Sequence, residues 1–333
     1  MRILSGVKCS GKPHIGNYFG AIRQFIDFQN SGDEGFYFIA NLHSLDQVRN
    51  AAEMRDLSVG VALDYLGLGL DPDKAVLFMQ SDIPEISELT WILGSVTPMG
   101  LLQRGHSYKD ALAKGDAVDW GRFSYPVLMA ADILLHLSDL VPVGKDQKQH
   151  IEFTRDIAIK FNTTYCKDFD PQTGEGGVLK IPDGFFHESD AVVPGTDGQK
   201  MSKSYGNAIE LFASDKAVKK SIMGVVTDST ALEDPKDPEK CNVFTLLKLF
   251  CDESELAEIE KQYRAGGVGY GDFKKKLLEE FQDMFGEARK KRIELSNNLD
   301  YVHPILDKGA ERAREIGSKV LKDVRDACGL TYR

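Results

Sequence analysis

The sequence predicts an α/β chain, with a Rossmann-like parallel sheet in the first part and an all-helical domain after it. Three observations carry this. Short β-branched and aromatic runs alternate with amphipathic stretches from residue 2 to about 160, the signature of a parallel sheet covered by helices. After Asn207 helical patterns follow one another with no strand between them. The chain has 333 residues, enough for two domains at roughly 100–200 residues each. The grammar changes near 205–215, and the expected domains are 1–208 and 209–333, with the last helix a candidate to pack back on the first domain.

Taken in order, "RILSG" (2–6) opens as a strand ending at a glycine. "IGNYFGAIRQFIDFQN" follows with Phe19, Ile22, Phe25 and Ile26 at helical spacing. "GFYFIANLH" is a buried strand, "AAEMRDLSVGVALDYLGLGL" a helix, "AVLFMQSD" a strand and "IPEISELTWILGSV" a helix. "PVLMAADILLHL" reads as an apolar helix, "LVPVGKDQ" as the fourth strand and "DQKQHIEFTRDIAIKFN" as the helix after it. In such sheets ligands bind at the carboxyl ends of the strands. The polar residues there, 8–17, 41–44, 80–82 and 144–147, are expected to converge on one crevice. Beyond 209, "KAVKKSIMGVV", "VFTLLKLFC", "ELAEIEKQY", "DFKKKLLEEFQDMFGEARKKRIELSNN" and the last stretch from Ile305 all have helical periodicity.

The net charge of −10 argues against a protein that coats nucleic acid along its length, because such binding rests on many phosphate neutralisations. It permits a confined basic patch. Five scattered cysteines with no C-x-x-C pair imply neither a disulfide framework nor a zinc ribbon. The N-terminus lacks the apolar core of a signal peptide, and no run of about 18 apolar residues occurs. The expectation is a cytoplasmic protein without a membrane partner.

Two loops carry the chemistry. In "SGKPHIGNYFG" (10–20), Gly16 and Asn17 open a helix whose free N–H groups attract phosphate, and His14 is placed to donate to a phosphate oxygen. Lys8 and Lys12 add charge, although a plain strand–helix loop with an incidental histidine reads equally well. In "GTDGQKMSKSYGN" (195–207), Lys200 and Lys203 lie three apart between glycines, with Met201 the lone apolar anchor. This reads as a swinging loop, and solubilising surface lysines are its plainer explanation. Together the two loops suggest a clamp on a polyphosphate, where transfer needs positioning and charge neutralisation and no nucleophilic side chain.

"PHIGN" resembles the HIGH signature of class I aminoacyl-tRNA synthetases, and "KMSKS" is the second signature of that class. "YPVLMAADILL" (125–135) and "VPVGKDQKQHIE" (141–152) are similar to the bacterial tryptophanyl branch of that family, as are "LFMQSDIP" and "PGTDGQKMSKSYGN". The likeness runs from residue 3 to about 330. It implies a ligase that joins L-tryptophan to tRNA(Trp) through an adenylate. ATP is the substrate, Mg²⁺ rides on its phosphates, and the enzyme is a homodimer. It further implies that Asp132 reads the indole nitrogen, with Leu4, Met129, Val141 and Val143 walling the pocket and Tyr125 and Gln147 near the ammonium group. Gly144, Lys145 and Asp146 fall at the ATP ribose. Lys8, Cys9, Ser10, His14, Gly16 and Asn17 fall at adenine and phosphates. Lys200, Met201, Ser202, Lys203 and Ser204 close over the phosphates, with Lys109 at the α-phosphate. The catalytic set is His14, Asn17, Lys109, Lys200 and Lys203.

Physical chemistry alone leaves Asp132 open. A carboxylate in an apolar helix needs a partner; an indole N–H or a neighbouring arginine or backbone group would serve.

The departures are specific. The first loop reads Lys8-Cys9-Ser10 where many relatives have Gln-Pro-Ser, and Lys145 replaces a common glutamate. A K-x-K pair of the family is reduced to Lys109 with Ala111, leaving Lys114 as candidate substitute. The cysteine spacing of the iron–sulfur relatives is absent, so no iron–sulfur cluster is expected. "GGVGYG" (266–271) lacks a preceding strand and reads as a turn. His106, His136, His150, His187 and His303 show no metal-ligand spacing, and no dedicated metal site is expected. The lysine and arginine runs at 274–276 and 289–292 read as solvated helix faces or tRNA phosphate contacts. The rival readings are the tyrosyl enzyme of the same family, a metabolic nucleotidylyltransferase, and a non-catalytic paralogue.

Overall fold

The structure, a computed structural model, describes residues 1–144, 147–186 and 193–332. Five parallel strands form one sheet in the order β3-β2-β1-β4-β5: β1 (Arg2–Lys8), β2 (Glu34–Ala40), β3 (Ala75–Met79), β4 (Leu140–Pro142) and β5 (Asp183–Phe185). The order turns back at β1, which pairs along its whole length with β2 but with β4 only at Ile3–Leu140. The carboxyl halves of β1 and β4 therefore part, and a crevice opens at the topological switch point. β5 escapes sequence reading because three residues, "DGF", carry no periodicity.

The expected strands end earlier than their apolar runs suggest. After Ala40 the chain turns into α3 (Asn41–Ser44), and after Met79 into a 3-10 turn (Gln80–Asp82). Both turns bring polar side chains back over the sheet end. The first helix is α1 (Ile15–Asn17), a π turn (Tyr18–Ile22) and α2 (Arg23–Ser31) in direct succession. The π turn lies just behind the first signature loop, the kind of site where such turns are frequent. α4 (Ala51–Gly67), α5 (Pro84–Val96), α6 (Met99–Leu102), α7 (His106–Lys114), α8 (Trp120–Leu135) and α9 (Lys148–Tyr165) complete the cover of the sheet.

A helical bundle follows, comprising α10 (Asp215–Met223), α11 (Asn242–Leu247), α12 (Glu253–Ala265), α13 (Tyr270–Ser296) and α14 (Leu299–Ala327). "GGVGYG" falls at the link between α12 and α13, where Gly266 and Gly267 have positive φ angles of 74° and 81°. Among the described residues no helix is long and apolar enough to cross a membrane.

Alternate residues of β2 point to opposite faces. Tyr37 and Ile39 join a core with α2, α4 and the bundle, while Phe36 and Phe38 join one with α5, α8 and α9. The first core runs without a seam from Ile15 through Leu211 to Phe281 and Phe285. Tyr18 and Phe19 meet the Phe285 ring edge-on, at 4.9 and 6.4 Å, so the first loop's helix is seated directly on α13. α14 returns across edge strand β3, contributing Leu306 to one core and Ala313 to the other. The approach is close enough that a Cβ on Gly309 would stand 1.9 Å from the Leu77 carbonyl oxygen.

Candidate active site

The crevice between β1 and β4 holds a cavity of about 250 Å³. All seven side chains expected at an amino-acid pocket line it: Leu4, Tyr125, Met129, Asp132, Val141, Val143 and Gln147. They come from β1, β4, the turn after β4 and one face of α8, where positions 125, 129 and 132 are a helical turn apart. Ser5, Gly6, Lys8, Phe38, Ala40, His43 and Ile133 complete the lining.

Asp132 is almost fully buried, as its apolar helix requires, but it is not isolated. Gln80 Nε2 donates to both its oxygens, at 2.8 and 3.0 Å, and His43 Nε2 donates to Oδ2 at 2.8 Å. Its partners in the protein are neither an arginine nor a backbone group but an amide and an imidazole from two strand-end turns. The strand-end rule points to loops 41–44 and 80–82; it cannot say which side chain turns inward. Tyr125 Oη accepts from Ser107 Oγ at 3.0 Å and lies 2.6 Å from His150 Nε2.

The two signature loops meet beside this cavity. Ile15 N–H donates to the Ile209 carbonyl at 3.0 Å and Leu211 N–H to the Pro13 carbonyl at 3.0 Å, so the segment after "KMSKS" forms a floor under "PHIGN". Lys203 Nζ reaches across to the Ser10 carbonyl at 3.1 Å. The His14 N–H donates to Asn17 Oδ1 at 3.0 Å. His14 is itself buried, and its Nδ1 has no hydrogen-bond partner among the described residues. Burial, then the nearby Lys203 charge, bring its pKa down to about 4. At neutral pH the ring is uncharged and can donate through one nitrogen only. Burial likewise lowers Lys203, against the opposing pull of Asp64 and Glu210.

The "KMSKS" loop is tighter than its composition suggests. Buried Asn207 accepts from Ser202 N–H at 2.8 Å and donates to Asp197 and to the Lys200 carbonyl. Met201 is buried in the first core. Two of the loop's glycines, Gly195 and Gly198, are steric requirements: a Cβ on Gly195 would lie 2.3 Å from the Asn207 side chain. Gly198, at φ +84°, would meet Asn242 at 2.7 Å. Lys200 and Ser204 remain exposed, and Lys203, exposed overall, has its Nζ against the first loop beside Ser10 and Gly11.

Residues 1–286 match the family described as tRNA synthetases class I (W and Y). The tryptophan–tRNA ligase of Fusobacterium nucleatum is 50% identical over 329 residues, covering 99% of this chain and 98% of its own. The chain belongs to the tryptophan–tRNA ligases of class I. The Rhodopirellula baltica ligase is 51% identical over 99% of this chain and all of its own. The tryptophanyl-tRNA synthetase of Campylobacter jejuni, in its crystal structure complexed with ADP and tryptophan, has a TM-score of 0.90 at 49% identity, covering 99% of this chain and 100% of that one.

Of the remaining expected positions, one side chain is turned away from the crevice. Cys9 cannot offer its side chain to ATP: the thiol is fully buried, 3.4 Å from Ser58 Oγ, and burial raises its pKa. Lys8 lines the cavity, its Nζ 3.7 Å from Asp46. Lys145 and Asp146 lie outside the described residues, as does His187. Lys109 stands exposed on α7, whereas Ala111 is fully buried on the opposite side. Positions two apart on a helix cannot share a face, so a lysine at 111 would be driven into the core here. Lys114, exposed in the last turn, carries no such cost.

The basic run 289–292 is partly turned inward. Arg292 pairs with buried Asp64 of α4, and Arg289 binds the Ala213 carbonyl and Asp215. Lys274 donates to the Met223 carbonyl, and Lys275, Lys276 and Lys290 pair with acids on their own helix. Among the described residues, the side chains grouped as a metal could use them are Cys251, Glu255 and Glu280, in the bundle, with Glu280 already paired to Lys276.

Proposed function

We propose that this chain activates L-tryptophan with ATP and transfers it to tRNA(Trp). The observation that carries the reading is the buried acceptor Asp132 facing an apolar cavity of about 250 Å³. An indole offers one N–H donor and no acceptor. A buried carboxylate is its complement and rejects a ring without that donor. Leu4, Met129, Val141 and Val143 clasp the ring, and Tyr125 and Gln147 serve the ammonium group. The tryptophan carboxylate oxygen attacks the α-phosphorus of ATP, the bond to the β-phosphate's bridging oxygen breaks, and pyrophosphate leaves. A ribose hydroxyl of the terminal tRNA adenosine then attacks the activated carbonyl and AMP departs.

ATP enters with its magnesium as substrate. Ser10, neutral His14, Gly16 and Asn17 hold adenine and phosphates, and Lys109 reaches the α-phosphate. Lys200, Ser202 and Lys203 neutralise the charge that moves onto pyrophosphate, worth most in the transition state. The boundary near residue 208 separates this chemistry from a bundle that serves the anticodon. A homodimer fits the surface: Trp91 and Met99 on α5 and α6 are 77% and 59% exposed, side chains that a second copy would cover.

Amino-acid-dependent ATP–pyrophosphate exchange tests the whole reading. Exchange with tryptophan and not with tyrosine is expected. Exchange with tyrosine would favour the other branch of the family, and none with either would favour a non-catalytic paralogue.

A further inference from the structure

Behind the cavity, Gln80 makes contacts that the pocket alone does not require. It is fully buried at the carboxyl end of β3. Its Oε1 accepts from the Leu42 N–H at 3.0 Å and the His43 N–H at 3.4 Å, the opening turn of α3. Its Nε2 donates to Asp132 Oδ1 at 2.8 Å and Oδ2 at 3.0 Å. The two main-chain donors leave the amide one orientation, with its NH₂ toward the carboxylate. One side chain thus ties three segments together: β3, the turn that carries His43, and α8 with Asp132.

We propose that Gln80 is a positioning residue for side-chain selection: it holds Asp132 as an oriented acceptor and seats the His43 turn at the same time. The proposal rests on the reading of Asp132 as the group that meets the indole N–H. A carboxylate gripped on one edge by an amide and on one oxygen by an imidazole has its remaining acceptor directions set before substrate arrives. Without Gln80 the carboxylate loses its one contact that spans both oxygens, and the N–H of Leu42 loses its acceptor. Partners of this kind act by orienting the group that meets the ligand, and a fully satisfied buried network is rigid.

The chemistry supplies a discriminating variant. In Gln80→Glu, a protonated carboxyl can still donate to Asp132 through its O–H and accept from Leu42 through its other oxygen. Once ionised it places a second negative charge within about 3 Å of the first, and the pair resists losing both protons. The titratable groups facing this point are Asp132 and, from α3, His43; His136 lies a turn further along α8, with its Nδ1 on the Asp132 carbonyl at 2.7 Å. Wild type, which has the same two histidines, is the control for their titration.

The experiment is tryptophan-dependent pyrophosphate exchange on the full chain. The readouts are tryptophan KM and the competitive Ki of the analogue in which sulfur replaces the indole N–H. Gln80→Met is expected to raise tryptophan KM about tenfold, with a smaller change in kcat, and to shrink the preference for tryptophan over the sulfur analogue. Gln80→Glu should recover that preference at pH 6 and lose it as pH rises to 9, while wild type stays level. A merely structural role would change stability and kcat without moving the preference. The proposal is overturned if Gln80→Met keeps the wild-type preference, or if Gln80→Glu fails to recover it at pH 6. Should Gln80→Met not fold, the pH course of Gln80→Glu against wild type decides: a falling preference supports the proposal and a level one overturns it. Asp132→Asn separates the two layers. If it too keeps the preference, the indole reading falls; if it loses it while the Gln80 variants behave as wild type, only the Gln80 inference falls.

Discussion

The cavity and the signature loops share one crevice but differ in how their polar groups are satisfied. At the cavity, Asp132 already accepts from Gln80 and His43, and the Tyr125 hydroxyl lies between Ser107 and His150. At the loops, His14 Nδ1 is buried without a partner among the described residues, Lys200 is exposed, and Lys203 donates to the Ser10 main-chain carbonyl. A rigid apolar ring is best selected by groups set in advance, since reorganisation would cost discrimination. A polyphosphate brings its own charge, so the groups that meet it can stay exposed and close late. The floor under the loops comes partly from the helical bundle, through Arg292 on Asp64 and Phe285 on Tyr18.

The largest test of this contrast is Arg292→Met. Burial already holds Asp64 up at about 6 in spite of the arginine, which pulls it down. A carboxyl whose folded pKa lies above its unfolded value costs the fold little below the unfolded value and more as pH rises through the folded one. Removing Arg292 raises the folded value further and leaves a buried charge unpaired at high pH. The expected loss is about 3–5 kcal/mol at pH 8, and clearly less at pH 5, in denaturant unfolding. An equal loss at both pH values would mean that Arg292 acts by packing on Phe212, over whose ring its guanidinium sits at 4.8 Å. ATP KM should rise in this variant while tryptophan KM stays near wild type; equal changes in both would erase the distinction between the two ends.

Lys203→Ala comes next. Its kcat in pyrophosphate exchange is expected to fall about 10²–10³-fold with a much smaller change in ATP KM, as for a donor that acts mainly on developing charge. A variant that keeps kcat and loses ATP affinity would make Lys203 an ordinary binding residue, as preset as the cavity groups.

The smallest effect is spectroscopic. His14 should titrate near pH 4 by NMR and stay neutral from pH 6 to 8. Its folded value lies below the unfolded one, so acidification between about 6.5 and 4 works against the fold. Lys203→Ala should raise that value, though not to 6.5, because burial is the larger cause. A wild-type ring that titrates at 6.5 would show the loop end to be open to water.

Much was legible in the chain itself, for physical reasons. The alternation of "GFYFIA" and "AVLFM" with helical stretches specifies strands buried on both faces, and the strand-end rule then puts 8–17, 41–44, 80–82 and 144–147 on one crevice. An acid within "PVLMAADILLHL" announces a buried polar group, because burial there needs a partner. Which partner was a tertiary matter. Gln80 and His43 lie 52 and 89 residues from Asp132 and become its neighbours only when β2 and β3 align. The same holds for Arg292, which in "EARKKRIEL" is one basic residue among four and in the fold pairs with an aspartate 228 residues away. Composition read the loop around Met201 as loose, yet one buried asparagine and the steric closeness of Gly195 hold it. Local sequence thus determined which segments are strands, helices and polar turns, since those follow from periodicity and turn chemistry. The pairing of buried charges, the inward turn of Cys9 and the order of the signature loops were decided only in the fold, because each depends on what distant segments bring to the same few ångströms.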